Sequence, residues 1–165
     1  MYRIAVVNGI KYDYDTEDGN IIICTSNINK TDDSFQKDER NRYIKQCSRD
    51  QITDLYECEI LAVYNTNNKI STNRFGIYAI RKNNIELNYH HTSPLINIPG
   101  WTNYGSDHSG TTLGIELNYS ELDGAVLVCK YCRKDGRAYH NNPLIVEEEI
   151  NSMDIYKIYT ELETL

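Results

Sequence analysis

The segment 99–114 carries the residue types best suited to binding a ligand. It holds the only tryptophan of the chain, several glycines that let backbone N–H groups approach a ligand, and a run of hydroxyl side chains beside a histidine. Because it is too long and too polar for a hairpin turn, we expect a long loop, which is usually functional or disordered. The alternative is a surface loop whose tryptophan packs underneath. The predicted ligand-binding residues are Trp101, Tyr104, Ser106, His108, Ser109, Thr111 and Thr112.

Within this segment, Asp107-His108-Ser109 contains the three side-chain types of a serine-hydrolase triad. Adjacent residues seldom point toward one another, and no strand–turn–helix elbow frames the serine. The sequence therefore predicts no triad and no catalytic residue here.

Cys129 and Cys132 form a Cys-x-x-Cys pair, and His140 follows eight residues later. These ligand types resemble half of a structural zinc site, which needs four ligands. The neighbouring residues read as a strand, so the two thiols would project to opposite faces unless a turn intervenes. We therefore predict thiols without a metal, and zinc stays the alternative.

Residues 89–93 read Tyr-His-His-Thr-Ser. This run resembles the Tyr-His-Gly-Thr-Ser strand end of ADP-ribosyltransferases, with His91 in place of the glycine, and the resemblance implies that His90 and a hydroxyl hold a nicotinamide nucleotide. The spacing of His90 and Thr92 is also similar to one motif of two-histidine phosphoesterases. The alternative, which we prefer, is a strand end whose histidines face solvent.

The composition narrows the class of protein. The chain has 165 residues, a net charge of −7 and a sequence pI near 5.1, which argues against duplex DNA as a partner. The number of cysteines, five, is odd, which is typical of free thiols in a reducing compartment. No apolar run is long enough for a signal peptide or a membrane span. We expect a soluble cytoplasmic protein without a cofactor. The abundance of Asn, Ile and Tyr is typical of AT-rich genomes, such as those of some bacteria, phages and large DNA viruses.

The patterns predict a single domain, 1–165, of α+β class, with a mainly antiparallel sheet built from hairpins and two flanking helices. Turn signals predict hairpins at 4–14, 74–89 and 125–140, and a β-branched run at 21–24 predicts a central strand. Residues 85–89 recur as 115–119, which indicates two equivalent strands. One helix is predicted from Phe35 to Cys47, with Ser34 as its cap, and a second from the cap Ser152 to the end.

We expect a small accessory protein, binding or inhibitory, that recognises a partner protein or a small polar, nucleotide-like ligand through the segment 99–114. The alternative is an enzyme acting on a nucleotide, either ADP-ribosyltransferase-like or phosphoesterase-like. It would use His90 and Thr92, with one carboxylate from Glu147, Glu148 or Glu149.

Overall fold

The computed structural model describes residues 1–66, 70, 72–93, 96–132 and 144–165. It divides into two compact units. The first contains residues 1–59, 128–147 and 160–165, and the second contains residues 60–127 and 148–159. The prediction of a single domain stays a prediction. No helix among the described residues is long and apolar enough to cross a membrane.

The first unit is built on neighbouring antiparallel strands in the order β4-β5-β3-β2-β1-β6. The end of β11 and the start of β12 also belong to this unit. The strand bounds are β1 Tyr2–Val7, β2 Ile10–Glu17, β3 Asn20–Thr25, β4 Gln36–Lys37, β5 Tyr43–Cys47, β6 Ile52–Val63, β11 Gly124–Tyr131 and β12 Ile145–Ile150.

The second unit continues from the end of β6 in the order β6-β7-β8-β10-β9, and each strand is again antiparallel to its neighbour. The bounds of its own strands are β7 Arg74–Ile80, β8 Asn84–His91, β9 Thr102–Asp107 and β10 Gly110–Asn118. Short 3-10 turns cover residues 28–30, 49–51, 119–121 and 152–154, and the helix α1 covers Ile155–Glu163.

Two tight turns open the first unit. Asn8 and Gly9 both have positive φ, 51° and 79°, and Asp18 and Gly19 repeat the pattern with 50° and 81°. Asn-Gly and Asp-Gly adopt such angles at little cost, and the resulting turn matches the twist of the flanking strands. The predicted hairpin at 4–14 is confirmed, and β3 lies between β2 and β5 as its β-branched sequence indicated.

The predicted helix from Phe35 to Cys47 is wrong. The segment instead forms β4 and β5, and β5 pairs along β3 from Thr25 opposite Tyr43 to Ile21 opposite Cys47. Its Lys, Glu, Arg and Gln content favours a helix locally, but strand pairing with a buried neighbour overrides that weak preference. Among the described residues α1 is the only α-helix, so the class is mainly β rather than α+β with two flanking helices.

The C-terminal helix is confirmed, with a shifted start. The side chain of Asn151, not Ser152, accepts the capping hydrogen bond, here from the backbone N–H of Met153 at 3.0 Å. A 3-10 turn precedes the α-helix, which begins at Ile155.

The two copies of the Ile-Glu-Leu-Asn-Tyr run lie on adjacent strands of the second unit. Ile115 lies opposite Leu87, and Leu117 lies opposite Ile85, so the apolar residues of both runs share one face. All of these but Ile115 are buried. The predicted hairpin at 74–89 is confirmed as β7 and β8. The first strand of the hairpin predicted at 125–140 is confirmed as β11, whereas residues 133–140 lie outside the described residues.

Candidate functional site

The segment 99–114 is a hairpin, not a long loop. Strand β9 pairs with β10 through a turn at His108 and Ser109, and the side chain of Asp107 accepts hydrogen bonds from the Ser109 backbone N–H at 2.7 Å and its hydroxyl at 2.5 Å. All six residues of β9 are exposed, and β9 lies at the end of the strand order. A strand that buries neither face shows no alternation of apolar and polar residues, so its sequence resembles a loop.

Gly110 follows this turn. Its φ is +144°, and a β-carbon here would overlap the backbone carbonyl oxygen of His91 on the adjacent strand. Only a residue without a β-carbon therefore lets β8 approach the start of β10 this closely.

Two of the predicted binding residues are buried. Trp101 is 8% exposed and packs its ring 5.3 Å from that of Phe75, and Thr111 is fully buried. The Thr111 hydroxyl donates to the Ser93 carbonyl oxygen at 2.9 Å and lies 3.0 Å from the Ser106 hydroxyl. Both side chains thus pack inside the second unit, and their predicted role in binding stays a prediction.

His90 lies beside the β9–β10 hairpin, so two separately predicted sites meet. It is opposite Thr112 in the β8–β10 register. Its Nε2 donates to the Ser109 carbonyl oxygen at 3.2 Å, and its Nδ1 lies 3.5 Å from the Thr112 hydroxyl. Thr92 is exposed just past the end of β8, and His108 is exposed at the turn.

Asp107 carries a negative charge at this turn. The hydrogen bonds from Ser109 hold the pKa of that carboxyl below its usual range, and the nearby His90 adds a smaller effect in the same direction. Asp107 is thus an anion that caps its own turn, rather than a group poised to accept a proton.

A second group of side chains, which we call the tyrosine face, lies on the second unit and consists of Tyr78, Arg81, Glu86, Tyr104 and Glu116. Tyr78 is 70% exposed and Tyr104 is 55% exposed. The Tyr104 hydroxyl donates to Glu86 Oε1 at 2.6 Å, and this bond raises the pKa of Tyr104 and lowers that of Glu86. Tyr78 is close enough to add a small electrostatic effect on the Tyr104 phenol.

The carboxylates of the tyrosine face are neighbours on paired strands. Glu86 on β8 lies directly opposite Glu116 on β10, an arrangement that is destabilising when the charges are uncompensated. Arg81 contacts both, with its guanidinium 3.3 Å from Glu86 Oε2 and 3.8 Å from Glu116 Oε2. The Asn84 amide donates to Glu116 Oε1 at 2.5 Å. The Arg81 guanidinium and the Asn84 amide thus compensate the two neighbouring negative charges of Glu86 and Glu116.

Two irregularities shape the tyrosine face. The β7–β8 register shifts between Ile77 and Ala79, which leaves Tyr78 as the extra residue, and the β9–β10 register shifts around Tyr104. A β-carbon on Gly114 would overlap the Tyr104 ring, so glycine there lets the ring lie close against β10. Sequence reasoning missed Tyr78, Arg81, Glu86 and Glu116. The repeated Ile-Glu-Leu-Asn-Tyr run was the available signal, since pairing of its two copies brings both glutamates together.

The Cys-x-x-Cys pair is split between two environments. The Cys132 thiol is close to the Tyr14 hydroxyl and to the Lys130 carbonyl oxygen, whereas the Cys129 thiol contacts that of Cys58. All five cysteines are thiols. No cluster of metal-ligating side chains occurs within the described ranges, and His140 lies outside them.

The first unit contains a cleft of about 550 Å³. Both of its lining arginines are ion-paired, Arg3 with Asp15 at 3.2 Å and Arg42 with Asp38 at 3.0 Å. Burial raises the pKa of Asp13. Polar lining residues of the cleft include Arg3, Asp13, Asp15, Cys24, Ser26 and Arg42.

Comparison of the chain with protein-family models, with curated proteins and with solved structures found no match. The class defined by the described residues is therefore a mainly β protein with an exposed tyrosine face on one unit and a polar cleft in the other.

Proposed function

We propose that this chain is a noncatalytic accessory protein that binds a partner protein through the tyrosine face. The observation that carries the proposal is the presence of two tyrosines, Tyr78 and Tyr104, each more than half exposed, beside the ion-paired Arg81. Tyrosine and arginine are the residues most enriched, with tryptophan, among those that dominate binding energies at protein interfaces.

Two side chains of the tyrosine face, those of Tyr104 and Arg81, are held in place before binding. Tyr104 is held by its hydrogen bond to Glu86 and lies against Gly114, so its ring loses little freedom when a partner packs on it. Arg81 is likewise held by two carboxylates. Side chains fixed in advance reduce the entropy lost on association, which favours affinity.

The shape and charge of the tyrosine face favour a protein over a small molecule or a nucleic acid. Small-molecule sites are clefts that enclose most of the ligand, whereas these two rings are open to solvent. The two carboxylates and one guanidinium give a local charge of about −1 at neutral pH, which would repel phosphates. A protein surface with an apolar pocket and a donor group for Glu116 fits best.

The predicted residues at the other end of the hairpin extend this surface. Ser106, His108 and Ser109 are exposed, and Thr112 is half-buried beside them. We include Thr112, which shares a face of β10 with Gly114, and the turn residues His108 and Ser109 as the polar rim around the tyrosines, with Tyr104 as the predicted residue at the centre. The Ser106 hydroxyl lies against that of the buried Thr111, on the other face. Trp101 and Thr111 support the surface from below.

The first experiment identifies the partner. A photo-crosslinking amino acid replaces Tyr78, and a matched variant carries it at Tyr156, a partly exposed tyrosine of the same unit outside the tyrosine face. Both variants are expressed and irradiated in the native host cell. We expect one protein to be captured from position 78 and not from position 156.

The second experiment measures affinity of the purified partner by calorimetry. We expect Tyr78→Ala and Tyr104→Ala each to weaken Kd about tenfold or more, and Tyr156→Ala to leave it unchanged. Gly114→Ala should also weaken binding, since its methyl group displaces the Tyr104 ring. Unchanged Kd for both tyrosine variants, in folded protein, would refute the proposal.

The cleft of the first unit supports a second candidate function, the binding of a small polar ligand. Its volume lies in the range of small-molecule sites, and its lining includes two guanidinium groups and three side-chain carboxylates, those of Asp13, Asp15 and Glu163. A panel of sugars, amino acids and nucleotides is tested by thermal shift against the parent and Ser26→Trp, which fills the cleft. A ligand that raises the Tm of the parent alone supports binding there, and equal shifts in both exclude it.

The alternative predicted from the sequence, an enzyme using His90 and Thr92, stays a prediction. The ring nitrogens of His90 lie against Ser109 and Thr112, and Glu147, Glu148 and Glu149 are exposed on β12.

A further inference from the structure

The register of β11 on β6 follows from two contacts within the first unit. The backbone N–H of Cys132 donates to the carbonyl oxygen of Leu55 at 2.8 Å, so these two residues face each other. One step further along each strand, the rings of Tyr56 and Tyr131 lie 5.3 Å apart. Chain numbers rise on one strand as they fall on the other, as in an antiparallel pair.

Two more steps in the same register place Cys58 opposite Cys129, and their thiols are in hydrogen-bonding contact. In an antiparallel pair, hydrogen-bonded and non-hydrogen-bonded positions alternate. Since Cys132 and Leu55 occupy a hydrogen-bonded position, Cys58 and Cys129 occupy a non-hydrogen-bonded one. There the Cα atoms are typically about 4.5 Å apart and the side chains are close, which lies within the range that a disulfide spans.

We infer that Cys58 and Cys129 are a redox-sensitive pair that forms a reversible disulfide between β6 and β11 when the chain meets a small-molecule disulfide oxidant. Cys132, three residues from Cys129, is not its partner. An odd separation along a strand sends side chains to opposite faces, and the Cys132 thiol lies against Tyr14 instead.

The reaction is a pair of thiol–disulfide exchanges with oxidised glutathione as the oxidant. The Cys129 thiol loses its proton to solvent, and the thiolate attacks one glutathione sulfur and expels the other as a glutathione thiolate. Cys58 then loses its proton and attacks Cys129 Sγ in the mixed disulfide, expelling the second glutathione. Two protein thiols are oxidised by two electrons in total, and one glutathione disulfide is reduced to two thiols.

The order of attack follows from exposure. Cys58 is 2% exposed and burial raises its pKa to about 12, so it holds little thiolate at neutral pH. Cys129 is only half-buried and is the residue that a solvent-borne reagent reaches first. Cys58 is then the resolving thiol, already in contact with the sulfur that it must attack.

The test uses the full chain, reduced and then incubated with oxidised glutathione under native conditions. After alkylation of remaining thiols, intact mass spectrometry should show the loss of two titratable thiols with no retained glutathione. Peptide mapping should find the Cys58–Cys129 link, and a mild dithiol reductant should restore both thiols. The oxidised chain should melt at a higher temperature than the reduced chain, since the link closes a long loop.

Variants separate the two steps. Cys58→Ala should accumulate a single glutathione at Cys129, since no thiol resolves the mixed disulfide, whereas Cys129→Ala should accumulate several-fold less adduct. Cys24→Ala and Cys47→Ala are matched controls at buried cysteines of the same unit and should form the link as the parent does.

Either of two results would overturn the inference: all five thiols still titrate after oxidation of the folded parent, or the mapped link joins a different pair, such as Cys129 with Cys132. Because mapping of the parent needs no substitution, a variant that fails to fold does not affect this test.

Discussion

Replacement of Trp101 by alanine distinguishes a structural from a recognition role for this residue. A recognition role was expected from its place in a polar segment. The structure instead buries all but 8% of it, with its ring against Phe75 in the second unit. We therefore expect Trp101→Ala to lower stability strongly.

The magnitude follows from the buried area. A tryptophan side chain buries about 150–250 Å², which at ~25 cal/mol per Å² corresponds to roughly 4–6 kcal/mol of transfer free energy. Alanine keeps part of that contact, so a loss of about 3–5 kcal/mol in the free energy of unfolding is expected. For a chain of this size each kcal/mol lowers Tm by about 2–4 °C, which gives a drop of roughly 6–20 °C.

Thermal melts of the parent and of Trp101→Ala are followed by far-UV circular dichroism, because the variant has lost the only tryptophan and cannot be followed by its fluorescence. Tyr78→Ala serves as the matched control. It removes an aromatic that is 70% exposed in the same unit and should melt close to the parent. A Trp101→Ala variant that melts with the parent would refute the placement of this ring in the core.

Three further predictions concern the backbone, the pH dependence and metals. Gly110→Ala should cost about 2 kcal/mol or more in urea unfolding, because the residue has positive φ and its β-carbon meets the His91 carbonyl; an unchanged midpoint would contradict the close approach of these strands. Burial raises the pKa of Cys58 from 9.0 to about 12, so the unfolded chain releases this proton at lower pH than the folded chain. Stability should therefore fall as pH rises from 9 toward 12, with a shallower fall in Cys58→Ala, and equal slopes would contradict this account. Removal of divalent metals by a chelator should leave Tm unchanged, and a large drop with stoichiometric zinc in the untreated protein would show otherwise.

Much of the sheet was predictable because its signals are local. Asn8-Gly9 determines a tight turn through the backbone angles that these two residues accept, and the β-branched run at 21–24 indicates a strand covered on both faces. The hairpin at 74–89 and the C-terminal helix follow from the same kind of local pattern.

The two errors have a common physical cause. Residues 35–47 favour a helix by composition, and residues 102–107 resemble a loop, yet both segments form strands. A strand is stabilised by hydrogen bonds to a neighbouring strand that can be distant in sequence. The composition and periodicity of a segment do not reveal which strand that is.

In the candidate site, too, some features follow from local sequence and others depend on the tertiary structure. From the sequence alone came the cysteine count, the acidic charge, the turn residues and the inclusion of Tyr104 among the binding residues. Only the tertiary structure decided that Tyr104 contacts Glu86, that Trp101 is buried, and that Cys129 faces Cys58 rather than Cys132. These relations depend on strand register, in which a shift of one residue moves every side chain to the opposite face, and register is set by the whole sheet rather than by any segment of it.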